Sequence, residues 1–99
     1  TGRPVATLRN VGVAAITKNL ADELGPKGIN VVAVHPGATR TERTDPANEK
    51  ALAANISIGR IVDSREVADV VVFLASPRSV AINGDAIATG GGSPGTIHY

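Results

Sequence analysis

The stretch Val31-Val32-Ala33-Val34-His35-Pro36-Gly37-Ala38-Thr39-Arg40-Thr41 constrains this chain more than any other. A β-branched run stops at Pro-Gly and gives way to hydroxyl and basic side chains. Such residues favour extended backbone, and an apolar run without polar alternation reads as a strand covered on both faces. The pattern predicts a strand over 29–34, with Asn30 and His35 as its polar ends. Proline removes a donor and glycine permits a tight turn, so the strand breaks there. Any chemistry or cofactor is expected at the carboxyl end of this strand. His35 alone argues for none, because one ionisable group makes no site.

Upstream, residues 4–24 read as a helix that delivers the chain to this strand. Pro4 suits a first turn. Leu8, Val11, Ala15, Leu20 and Leu24, with Val13 and Ile16, form a wide apolar band at three- and four-residue steps, which predicts a packed face. The small residues from Val11 to Ala15 would let a neighbour approach closely. Asp22 and Glu23 mark a wetter side, and Gly25-Pro26-Lys27-Gly28 stops the helix.

Downstream, 36–62 reads as a mostly polar, irregular connection with a short helical piece near 47–54. A connection of that length is either functional or mobile, so Thr39 to Thr44 is read as a solvated loop or as a lid over a ligand. Asp63-Ser64-Arg65-Glu66 has the form of a capping box. It opens a helix whose stripe is Val67, Val70, Val71 and Leu74, ended by Pro77. Asn83-Gly84-Asp85 then turns into a second strand, 86–89, which ends in Gly90-Gly91-Gly92. Residues 93–99 have little to bury and are expected to form a flexible tail.

Helix–strand–loop–helix–strand order argues for an α/β fold with a parallel sheet. Two strands cannot complete a sheet that needs cover on both faces. Residues 1–99 are therefore expected to be a single, partial domain, the C-terminal part of a doubly wound sheet. The absence of methionine in 99 residues points the same way. A net charge of +1 with scattered Lys and Arg gives no basic stripe for nucleic acid. Without cysteine there are no thiolate metal sites, and no metal is expected. No apolar run approaches the ~20 residues of a membrane span, and a cytoplasmic location is expected.

Several ordered landmarks resemble one family. Thr17-Lys18-Asn19-Leu20-Ala21 through Gly28-Ile29-Asn30-Val31 closely resembles the helix and strand after the active site of classical short-chain dehydrogenases/reductases. Pro36-Gly37-Ala38-Thr39-Arg40-Thr41 is similar to their P-G-x-x-x-T motif. Ile58-Gly59-Arg60, Glu66-Val67-Ala68 and Phe73-Leu74-Ala75-Ser76 resemble the later helix signature, and Asn83-Gly84-Asp85 through Gly90-Gly91-Gly92 the closing strand. The resemblance implies a Rossmann-type domain that binds NAD or NADP beyond the carboxyl ends of its strands. It implies hydride transfer to or from a small alcohol or carbonyl substrate, and a homo-oligomer, dimer or tetramer. Its cofactor-binding positions would be Pro36, Gly37, Thr39 and Thr41, with Asn10 available to a ribose hydroxyl.

One departure is chemical. The family's Y-x-x-x-K pair falls on Ala6 and Asn10, so no catalytic residue can be assigned, and the only tyrosine, Tyr99, lies in the tail. In the family the tyrosine exchanges a proton with the substrate oxygen, and the lysine lowers its pKa. Alanine has no proton to give, and asparagine carries no charge. Thr7 and Arg9 are the nearest polar replacements. Two expectations stand: an oxidoreductase with a non-standard catalytic centre, or a non-catalytic dinucleotide-binding or scaffolding relative. A third, a purely structural partner, is disfavoured by the retained loop landmarks.

Overall fold

A computed structural model describes residues 2–97. The chain divides into two compact units, Thr1–Ala33 with Leu74–Ile87, and Val34–Phe73 with Ala88–Tyr99. The elements are α1 (Arg3–Leu24), a 3-10 turn (Gly25–Lys27), β1 (Ala33–His35), β2 (Thr39–Arg40), α2 (Pro46–Ala53), β3 (Val62–Asp63), α3 (Ser64–Leu74), a second 3-10 turn (Pro77–Ser79) and β4 (Ala86–Ala88). The expected alternation of helix and strand is present. Position 99 and its neighbour, in the expected tail, lie outside the described residues.

In the first unit α1 begins with proline in its first turn and ends where glycine and proline predicted. Gly28 takes the left-handed conformation, φ 83°, which glycine reaches without a Cβ clash. The helix buries Thr17 and Ala21. A Cβ at Gly84 would lie 3.2 Å from Lys18 Cδ and 3.3 Å from Ala21 Cβ, so the turn before β4 rests against this face. The predicted packed band is not covered: Leu8, Val11, Val13 and Ile16 stand exposed. A 22-residue helix runs about 33 Å, further than the short segments sharing its unit can cover.

Two asparagines hold the segment before β1. Asn30 Nδ2 donates to the carbonyls of Val80 (2.8 Å) and Ile82 (3.1 Å), and the Val31 amide donates to Asn83 Oδ1 (2.8 Å). A side chain thus takes the Val31 amide, while the Val31 carbonyl accepts from the Gly84 amide (2.8 Å), and the strand is observed at Ala33–His35 rather than over 29–34. β4 lies beside β1 and is one residue shorter than predicted. Ser79 is buried, and its hydroxyl donates to the Leu74 carbonyl (2.8 Å).

The second unit is centred on Ile61 and Val62, both buried. Here the expectation of an irregular 36–62 is corrected. β2 pairs in parallel with β3, Thr39 opposite Val62 and Arg40 opposite Asp63. Two-residue strands built from Thr, Arg, Val and Asp carry no alternation, so their pairing left no periodic signal. α2 forms close to the predicted place, its Asp45 cap accepting from the Ala47 amide (3.0 Å). The capping box at α3 is real: Glu66 Oε1 accepts from the Asp63 amide (2.9 Å), and Asp63 Oδ1 from the Arg65 amide (3.1 Å). Val67, Val70 and Leu74 are half-buried, whereas Val71 is exposed.

Candidate functional site

The candidate site lies in the second unit, where the chain leaves β1 and β4. Gly37 follows Pro36 with φ +64°, and a Cβ there would come within 3.0 Å of Gly90 Cα. The two loops therefore touch backbone to backbone. Thr89 fixes the approach, its amide (2.8 Å) and hydroxyl (3.2 Å) both donating to the His35 carbonyl. On the other side of the glycine run, the Ile58 amide donates to Gly91 O (3.1 Å) and the Ser57 amide to Gly92 O (3.0 Å). Gly91 and Gly92 have φ of +80° and +94°. A Cβ on either would lie 2.8 Å from Ile56 or Ser57, closer than carbon atoms pack. Three consecutive glycines are thus threaded between Pro36-Gly37 and 56–58.

These walls enclose an open cavity of about 510 Å³ lined by His35, Gly37, Ser57, Gly90, Ser93 and Thr96 among others. Three hydroxyl-bearing residues and one histidine are among its lining. The size lies within the usual range for small-molecule sites, about 300–1,000 Å³.

A second cluster carries the charge. Arg60 donates through both terminal nitrogens to Glu66 (2.7 and 2.8 Å). Arg40 Nε pairs with Glu49, and Arg40 Nη1 lies 3.4 Å from Asp63 Oδ2. The Arg60 hydrogen bonds, with the Asp63 amide second, hold the Glu66 carboxyl down to about 2. Hydrogen bonds to Glu49 and Glu66 raise Arg40 and Arg60 in turn. An open hollow of about 550 Å³ beside Arg40, Arg60, Asp63, Arg65 and Glu66 is thus lined by charges that are largely paired.

The predicted site residues divide between the units. Pro36, Gly37, Thr39 and Thr41 follow β1 in the second; Ala6 and Asn10 are on α1 in the first. Thr39 Oγ1 sits 3.4 Å from Pro36 O and 3.3 Å from Gly37 O, bracing the turn. Thr41 belongs to a turn of its own. Its amide donates to Thr44 Oγ1 (2.8 Å), and its hydroxyl accepts from the Arg43 amide (3.3 Å). Only Gly37 of these lines the cavity.

Sequence reasoning passed over Ser57, Ser93, Thr96 and the role of the glycine run, taken merely as a strand end. The run of three glycines was the available signal, since only close backbone approach or positive φ requires it. Among the described residues no cluster of three or more His, Asp or Glu is placed to hold a metal, and no helix is long and apolar enough to cross a membrane.

The family model described as enoyl-(acyl carrier protein) reductase matches residues 4–93. The 3-oxoacyl-(acyl-carrier-protein) reductase FabG of Vibrio harveyi is 40% identical over 84 residues, covering 82% of this chain and 34% of that protein. Trans-4-hydroxycyclohexanecarboxylate dehydrogenase of Sinomonas cyclohexanicum is 40% identical over 81 residues, covering 82% and 30%. The crystal structure of YwfH, an NADPH-dependent reductase involved in bacilysin biosynthesis, superposes with a TM-score of 0.81 at 28% identity, covering 91% of this chain and 39% of that one. The chain spans about a third of the length of the curated relatives it matches. Matched from Pro4 to Ser93, and folded as α/β in the manner of a solved reductase, the chain belongs to the short-chain dehydrogenase/reductase family.

Proposed function

We propose that the full-length protein transfers hydride between NAD or NADP and an alcohol or carbonyl compound. The observation that carries this is the bare contact of Gly37 on Gly90 beside the cavity. Open α/β sheets take their ligands beyond the carboxyl ends of the strands, and β1 and β4 both end here. A cradle that a Cβ at 37 would disrupt fits the close approach of backbone to a cofactor amide or phosphate. In this reading Pro36 and Gly37 shape that surface, Thr39 braces it and the Thr41 hydroxyl offers a polar contact. Asn10 offers its amide to a ribose hydroxyl. The dinucleotide, when bound, supplies or accepts the hydride; these residues bind and orient it.

The similarity to an NADPH-dependent reductase and to two alcohol- or carbonyl-directed enzymes supports the reaction class. Their names span an acyl-carrier-protein substrate and a hydroxylated ring acid, so the proposal stops at alcohol or carbonyl. We read the protein as a cytoplasmic homo-oligomer, a dimer or tetramer.

Ala6 and Asn10 favour a second reading, a relative that binds dinucleotide without turnover. General acid–base help is worth about 10²- to 10⁴-fold in rate, and neither residue supplies it. Fluorescence titration of NADH and NADPH into the full-length protein is the test. Saturable binding with turnover on a carbonyl panel supports the first reading, and binding without turnover the second. A folded protein that binds neither dinucleotide refutes both.

A further inference from the structure

α2 is a helix without a core. None of its residues is buried, and Leu52 is 46% exposed. Its ends are turned by local bonds, the Asp45 cap at one and the Ile56 amide on the Ala53 carbonyl (3.2 Å) at the other. The side chain that reaches out of it is Glu49, which takes the Nε of Arg40. Arg40 is fixed from behind. Its backbone pairs with Asp63 across β2 and β3, and its Nη1 approaches the Asp63 carboxylate at 3.4 Å. One guanidinium therefore joins a paired strand, and the residue that caps α3, to a helix with no buried face. A neighbouring guanidinium, Arg60, is held by both oxygens of Glu66 and cannot take Glu49 without giving up a bidentate pair.

We infer that Arg40 is a positioning residue whose Glu49 arm latches α2 beside the loop that leaves β1. With the arm closed, α2 and the strand carrying Thr39 and Arg40 move as one body, and Thr41 starts from a fixed backbone. With the arm open, nothing buried holds α2, and 41–55 opens as a local unit. Side-chain exposures of 41% and 31% place the pair between surface and interior. A pair of that kind shifts an opening equilibrium by about 1.5- to 5-fold, and salt weakens it. Its effect on dinucleotide affinity rests on the cofactor reading above; the latch itself does not.

Hydrogen exchange of the full-length protein tests it. Local opening sets the exchange of weakly held segments, so Glu49→Gln, which keeps shape and removes charge, is expected to speed exchange across 46–53 by about 1.5- to 5-fold at low salt. Added salt of about 0.5 M brings the wild type to the same rate. Glu49→Asp restores part of the protection, and Asp63→Asn, which leaves the Arg40–Glu49 arm in place, does not change 46–53. Unchanged exchange in Glu49→Gln, or wild-type exchange indifferent to salt, overturns the latch. Faster exchange with no dinucleotide binding in any form, wild type included, keeps the latch and refutes the cofactor reading.

Discussion

Gly37→Ala is the sharpest probe of the candidate site, because two separable strains meet there. The backbone sits at φ +64°, where an L side chain costs about 1–2 kcal/mol. The new Cβ would also stand 3.0 Å from Gly90 Cα. That neighbour is backbone, held by the β1–β4 pairing, and cannot rotate aside. Overpacking of this sort adds about 1–3 kcal/mol, for a total of about 2–5 kcal/mol. Gly59 isolates the first part: its φ is +80°, and a Cβ there meets nothing within 4 Å, so Gly59→Ala should cost only the backbone share of about 1–2 kcal/mol. Gly90 isolates the direction of approach. Its own Cβ would lie 3.5 Å from Gly37 Cα and Pro36 O, ordinary contact, and Gly90→Ala should be the mildest of the three. Equilibrium denaturation of the full-length variants reads the order directly. Equal losses in Gly37→Ala and Gly59→Ala would refute the backbone contact on which the site is built.

Three further outcomes follow from the hydrogen bonds and charges. Glu66 is held at about 2, below its ordinary value of 4.5, so its stabilisation is complete above about pH 4.5 and fades as pH falls towards 2. Glu66→Gln should flatten the acid limb of a stability-versus-pH curve, and an unchanged limb would contradict the Arg60 pairing. Asn83→Ala leaves the half-buried Val31 amide without its acceptor and should cost about 1–2 kcal/mol in denaturation; a loss below the fitting error would show that water replaces it freely. Thr41→Val should lower dinucleotide affinity by about 2- to 10-fold on the proposed reading, one hydrogen bond being worth about 0.5–1.5 kcal/mol, and unchanged affinity would remove its hydroxyl from the cofactor surface.

The sequence made the long elements legible and the short ones not. α1 and α3 announce themselves through proline at one start, a capping box at the other, and glycine or proline beyond the end. Those signals are local, and local chemistry decides them. β2 and β3 pair residues more than twenty positions apart through two-residue strands, which no local pattern encodes. The apolar band of α1 was visible, yet its exposure was not. Periodicity states that a face is apolar; only a partner in the same unit decides whether it is covered. In the site, Pro36-Gly37 was read correctly as a tight turn, but what presses on it, Gly90, stands over fifty residues away. The charged cluster was missed for the same reason: Arg40, Glu49, Asp63 and Arg60 look like scattered surface charge until β2 and β3 are paired.

The retained family landmarks carry unequal weight once their contacts are known. Gly37 is held by its packing on Gly90 as well as by the cofactor role proposed for it. Thr39 braces the turn it sits in, and Thr41 accepts from Arg43 while its amide rests on Thr44. Each of these residues has a structural task that survives the loss of chemistry. Ala6 and Asn10 stand on α1 as a half-exposed and an exposed side chain. Persistence of the loop therefore does not by itself distinguish the proposed reductase from the proposed binding relative. On the proposed reading, with Ala6 and Asn10 at the positions of the proton-transferring pair, dinucleotide binding is expected without the rate that such a pair gives.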